Sequence, residues 1–130
     1  MLDRLDLHIE VPPVKFDELA ADSRREETSA EIRARVSAAR RRQQERYKAA
    51  GIPCNARLTP AMLEEYCPLT EQARAVLKAA FDRLGMSARS YDRLLKVART
   101  VADLDGCDTI DTAHISEAIQ FRSLDRKYWK

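Results

Sequence analysis

The chain has little of what a sheet protein or a metalloenzyme needs. Its 130 residues include three glycines, one tryptophan and only 6% aromatic side chains. That scarcity of tight-turn residues and flat packing groups argues against a β-sandwich or barrel. Two histidines, His8 and His114, are too few for a histidine-rich metal site. Cys54, Cys67 and Cys107 are odd in number and widely spaced, with no CxxC pair beside them. They predict three reduced thiols, neither a disulfide framework nor a zinc site. No metal ligand set is assigned. No apolar run approaches the roughly 20 residues of a membrane span and no signal peptide opens the chain, so a cytoplasmic protein with no membrane partner is expected. GxxxxGK[ST], GxGxxG and HExxH are all absent. On its own the chain is expected to catalyse nothing.

Charge and apolar periodicity are plentiful. Charged residues make up 34% of the chain, yet the formal net charge is only +2. Where the charges fall therefore matters more than their sum. Helical spacing of apolar residues recurs through the second half. "TPAMLEEYC" offers Thr59 as a cap and Pro60 at the first helical position. "LTEQARAVLKAAFDRLG" runs from Thr70 to a stop at Gly85, with Ala73, Val76, Leu77, Ala80 and Leu84 inward. "MSARSYDRLLKVARTVADLDG" is capped by Ser87 and ends at Gly106, with Leu94, Leu95, Ala98, Val101, Ala102 and Leu104 on one face. "TIDTAHISEAIQFR" opens on Asp111 and turns Ile115, Ala118 and Ile119 inward. The expectation is a mainly α protein, its four short helices forming a bundle over residues 59–130. In "FRSLDRKYWK", Trp129 is expected to pack.

The first half reads differently. "LDLHIEVPPVKF" alternates Leu5, Leu7, Ile9 and Val11 against Asp6, His8 and Glu10, a period-two strand stopped by Pro12 and Pro13. A single strand cannot satisfy its own edges, so residues 1–22 are expected to be the end of a larger core. Residues 23–58 follow as a linker. A long helix from about Ser23 to Ala50 carries a thin stripe of Ile32, Val36, Ala39, Gln43 and Tyr47, and "GIPCNARL" then breaks it. Between Glu31 and Lys48 stand Arg33, Arg35, Arg40, Arg41, Arg42, Arg46 and Lys48 against two carboxylates, an excess of five positive charges. Such a face tracks a phosphate backbone, or serves as a solvated bridge or subunit contact, with Asp22, Glu26 and Glu27 available for pairing. Tyr47 alone interleaves it, too little aromatic surface for base stacking.

Arg89 stands out. It falls in the first turn after the Ser87 cap, where the helix dipole disfavours a cation by a few tenths of a kcal/mol and suits an anion. Either it is a solvated arginine that tolerates the position, or it is aimed at a negatively charged ligand. His8 and His114 are expected to face solvent or to bond locally. Arg93 and Arg99, on the same helix, suit surface or internal salt bridges at least as well as a nucleotide contact.

"SARSYDRLLKVARTVADLDG" followed by "IDTAHISEAIQFRSLD" resembles the C-terminal domain of magnesium-chelatase-like AAA+ ATPases, in the branch of the bacterial competence proteins of the ComM group. "NARL" after the basic "RVSAARRRQQERY" helix is similar to that family's linker, and "LDRLDLHIEVPPV" resembles the end of its ATPase core. The resemblance covers nearly the whole chain and implies a helical lid. It also implies a parent that binds ATP and Mg²⁺ between subunits of a hexameric ring and works as a DNA motor in recombination. Arg89 then matches the sensor-2 arginine that reaches the γ-phosphate, and Arg4 the arginine finger offered to a neighbouring subunit. Guanidinium suits both roles, being always charged and forked. The rival is a stand-alone helical module that holds nucleic acid or an acidic protein through Arg33, Arg40, Arg41, Arg42, Arg46 and Lys48.

Overall fold

A computed structural model describes residues 6–9 and 27–122. Within them the chain forms five α-helices and one short 3₁₀ turn. α1 spans Ser29–Arg46 and begins with a reciprocal cap. The Thr28 hydroxyl accepts the Glu31 N–H at 3.2 Å, and the Glu31 carboxylate accepts the Thr28 N–H at 3.2 Å. The chain turns at Gly51, whose φ of 75° is left-handed. It then passes through the 3₁₀ turn Asn55–Arg57 into α2, Pro60–Tyr66.

α3 is Glu71–Leu84, capped by Thr70 and closed by Gly85 at φ 61°. That left-handed cap is open to glycine without strain. α4 is Ala88–Leu104, where the Ser87 hydroxyl accepts the Ser90 N–H at 3.1 Å. α5 is Thr112–Gln120. The four-helix bundle expected from the periodicity is present as α2–α5. Thr59 occupies the cap position of α2, but its side chain makes no capping bond.

α4 is the hub. It packs against α5, α1, α2 and the 3₁₀ turn, and α5 also packs on α3. Ala98, Ala102 and Ala118 are fully buried at these crossings, and their small side chains let the backbones approach. Leu77, Leu94, Leu95, Ile110 and Ile115 fill the space between. An isolated parallel bridge, Leu69 to Ile110, ties the α2–α3 loop to the α4–α5 loop. Leu104, expected inward, is 45% exposed at the end of α4.

The expected N-terminal strand is corrected. Residues 6–9 carry neither strand nor bridge, and their alternation is inverted: His8 is buried while Leu7 and Ile9 are exposed. Among the described residues no strand lies beside the segment to set a register. The segment is held instead by helix ends. The His8 N–H donates to the Phe121 carbonyl at 2.6 Å. Asp6 pairs with Arg93, and its carbonyl accepts from Arg122 at 3.4 Å. Leu5, Val11, Arg4 and Trp129 lie outside the described residues.

The basic helix is also shorter than expected. Its stripe splits in two: Ala39, Gln43 and Tyr47 are buried against the bundle, whereas Ile32 and Val36 are each 43% exposed. Residues 29–38 are exposed on every side. The first half of α1 projects from the body.

Candidate functional site

Two cationic surfaces come out of this fold, one at the start of α4 and one along α1. At the first, Arg89 is exposed in the opening turn of α4, which contains no acidic residue. The helix N-terminus adds partial positive charge. Beneath it Ser90 is buried, and its hydroxyl accepts from the guanidinium of Arg122 at 3.2 Å. Arg122 is itself 1% exposed. A groove of about 370 Å³ opens alongside Ala88, lined by Arg74 and Lys78 of α3. Phe81 and Tyr91 also line it, edge to face at 5.8 Å and 89°. Cations and ring surface thus lie together beside an anion-attracting helix end.

Along α1 the expected cations sort themselves by what they touch. Arg33, Arg40 and Arg41 recur at seven- and eight-residue spacing. Arg41 lies opposite buried Ala39 and Gln43, whereas Arg33 and Arg40 flank the buried face, Arg40 lining a cleft with Ala39, Gln43, Thr100 and Leu104. All three are exposed, as is Lys48 just past the helix. Arg42 lies 3.7 Å from Asp108 in an exposed pair, a weak attachment. Arg35 is bidentate to Glu27.

Arg46 is different. It turns inward and grips Asp103 with both guanidinium nitrogens, one contact at 3.1 Å, while its Cζ stands 5.5 Å from the Tyr47 ring centre. Burial opposes its charge, and the Asp103 and Tyr47 contacts more than offset that, so its pKa is raised. Arg46 therefore does not stand on the exposed cationic face with Arg40 and Arg41.

The Arg46–Asp103 contact belongs to a buried polar junction between α1, the 3₁₀ turn and α4. Asn55, 3% exposed, donates from Nδ2 to Asp103 Oδ2 and to Thr100 Oγ1, both at 3.0 Å. Its Oδ1 accepts from the Tyr47 hydroxyl, and its backbone N–H donates to Gln43 Oε1 at 3.0 Å. Arg99 approaches Asp103 at 3.3 Å and donates to the carbonyls of Cys107 and Asp108 at 2.6 and 2.7 Å. Burial lowers the Arg99 pKa and the charge of Asp103 partly restores it.

Asn55, Asp103 and Arg99 were not expected from the sequence as site residues. The available signal was polar side chains at Gln43, Arg99 and Asp103, where the helical period calls for apolar ones. Arg99 fits the internal salt bridge foreseen for it.

Asp105, Cys107 and His114 bring three ligand atoms within 4.8 Å of one another. The hydrogen bonds around His114 point away from a metal centre. Its Nδ1 accepts the Asp111 N–H at 2.9 Å, which places the proton of the neutral ring on Nε2, donating to Asp105 at 3.0 Å. Burial and the nearby Asp105 carboxylate push the Cys107 thiol up, away from the thiolate a metal would take. His114 is thus a capping residue of α5 that bonds locally.

Residues 26–122 match the family described as magnesium chelatase, subunit ChlI C-terminal. The chain belongs to that family. It is 42% identical over 125 residues to the competence protein ComM of Haemophilus influenzae, covering 96% of this chain and 24% of that protein. To YifB of Salmonella typhimurium it is 39% identical over the same length and the same shares. The chain thus spans about a quarter of the curated relatives it matches. Among the described residues, no helix is long and apolar enough to cross a membrane.

Proposed function

We propose that this chain is the lid of an ATP-hydrolysing ring protein and that Arg89 is its sensor-2 arginine, directed at the γ-phosphate of ATP. The supporting observation is the placement of Arg89, exposed on a Ser87-capped helix start without acidic residues. A guanidinium there, reinforced by helix N–H groups, suits the charge that spreads over a phosphoryl group in transfer. Arg74 and Lys78 line the groove that opens at Ala88, one residue before Arg89. This surface fits the phosphates but supplies no carboxylate in the first turn of α4 for Mg²⁺. The phosphate cradle and metal ligands would therefore come from a core carried elsewhere in a longer protein. The arginine finger assigned to Arg4, the hexameric ring and the cytoplasmic location are parts of the same proposal.

The longer protein is proposed to act on DNA, as a helicase or branch-migration motor in recombination. The observation favouring DNA is the run of cations along α1, where Arg33, Arg40 and Arg41 are exposed with Lys48 beyond them. A stand-alone nucleic-acid-binding module would use the same face.

The test is Mg²⁺-dependent ATP hydrolysis by the longer protein, with and without Arg89→Ala. A sensor-2 role predicts a loss of roughly tenfold or more, about 1.4 kcal/mol of transition-state stabilisation. Unchanged hydrolysis by a folded variant would leave Arg89 a surface charge.

A further inference from the structure

The junction around Asn55 is built to a higher specification than stability requires. Two guanidinia and one carboxylate are withdrawn from water there, Arg46 with 17% of its side chain exposed, Arg99 with 1% and Asp103 with none. Apolar side chains of similar volume commonly hold such a place as well or better. What a saturated polar junction adds is register. The Asn55 amide uses both of its donor hydrogens and its acceptor oxygen, each toward a different side chain. Two of those partners, Thr100 and Asp103, lie on α4, and the third, Tyr47, ends α1. Its backbone N–H is held by Gln43 of α1. No rotation or slide of α1 across α4 keeps all four bonds.

α1 carries the exposed cations Arg40 and Arg41 within a turn or two of this junction. α4 carries Arg89 at its other end, fourteen residues before Asp103, or about 21 Å along a straight helix. We infer that Asn55 is a positioning residue that locks α1 to α4, so that the cationic face of α1 and the Arg89 end of α4 move as one rigid lever. The inference rests on the proposed function in assigning DNA to the first surface and ATP to the second. The lock itself does not depend on that assignment.

Amide hydrogen exchange on the present chain tests the lock. Asn55→Ala should lower protection across residues 39–47 by at least tenfold and leave α3 and α5 within about twofold of the parent. Uniform loss over all helices would reduce Asn55 to a general stability residue, and no loss would remove the lock altogether. Thr100→Val removes one acceptor at nearly constant volume. It should give the same pattern at smaller size, and it carries the test if Asn55→Ala fails to fold.

Coupling is read in the longer protein from the ratio of ATP hydrolysis with and without duplex DNA. Asn55→Ala should bring that ratio toward one while changing the DNA-free rate less than about twofold. Arg89→Ala should lower both rates. A ratio unchanged by Asn55→Ala, or a parent ratio already at one, overturns the coupling. An inert Arg89→Ala overturns the ATP assignment and leaves the exchange result standing.

Discussion

The Cys67 thiol lies 5% exposed at the end of α2, in a pocket of side chains that offers a thiolate little solvation. Burial pushes its pKa up to about 11; Arg99 and Arg46 pull it down, and Asp103 pushes it up again. The linkage has a definite sign. An unfolded thiol ionises near its ordinary value of 9.0, while the folded one stays protonated, so the unfolded state sheds its proton first. Stability should therefore be level below pH 9 and fall between about pH 9 and 11, by up to about 1.4 kcal/mol per pH unit. Urea unfolding across that range checks this, with Cys67→Ala as the reference that lacks the titration. Tyr47, also raised by burial, titrates in both proteins and cancels in the comparison. Identical pH slopes would show that the thiol is solvated. The same burial makes Cys67 a poor nucleophile at neutral pH, in keeping with a structural role for this cysteine.

Among the elements, α1 is the one whose two halves have different physics. Its C-terminal half is anchored by Ala39, Gln43 and Tyr47, whereas residues 29–38 bury no side chain and, among the described residues, are held by helical hydrogen bonds, the Thr28–Glu31 cap and the exposed Arg35–Glu27 pair. Removing that cap should act locally. Thr28→Ala is expected to cost the helix about 1 kcal/mol, lowering amide protection in its first two turns severalfold. The global unfolding midpoint should barely move, because this half buries no core. A shift of several degrees in the midpoint would mean that the projecting half is packed in solution. How legible each element was in the sequence follows from the same contrast. The starts of α3, α4 and α5 were readable because Thr70, Ser87 and Asp111 make their caps within a few residues of themselves. Gly85 and Gly106 marked the ends of α3 and α4 through left-handed φ. The fate of Leu7, His8 and Ile9 was not readable. Alternation states that two faces exist, but the choice of buried face was made by Phe121, more than a hundred residues away. The Asn55 junction was equally hidden, since its partners lie 45 and 48 residues along the chain at Thr100 and Asp103.

Across the whole molecule, a net charge of +2 in 130 residues is too small to draw a polyanion. Any affinity for nucleic acid must come from the way the charges are segregated. Along α1, internal pairing removes Arg46 from the exposed set and engages Arg35 with Glu27 and Arg42 with Asp108, which leaves Arg33, Arg40, Arg41 and Lys48 as the exposed cations outside these pairs. Each phosphate neutralised releases counterion, so the logarithm of the affinity falls with the logarithm of salt by about 0.9 per contact on duplex DNA. If the four act together, the slope should lie near −3 to −4 from roughly 50 to 200 mM salt. The double change Arg40→Ala with Arg41→Ala should reduce it by about 2. Fluorescence anisotropy of a short labelled duplex measures both slopes. Arg46→Ala tests the internal pairing separately. It should leave the slope within about one contact of the parent while lowering stability, because it uncovers the buried Asp103 carboxylate. A slope that drops with Arg46→Ala but not with the Arg40 and Arg41 changes would place the phosphate backbone at the α1–α4 junction, and the projecting face of α1 would then be free to meet another subunit.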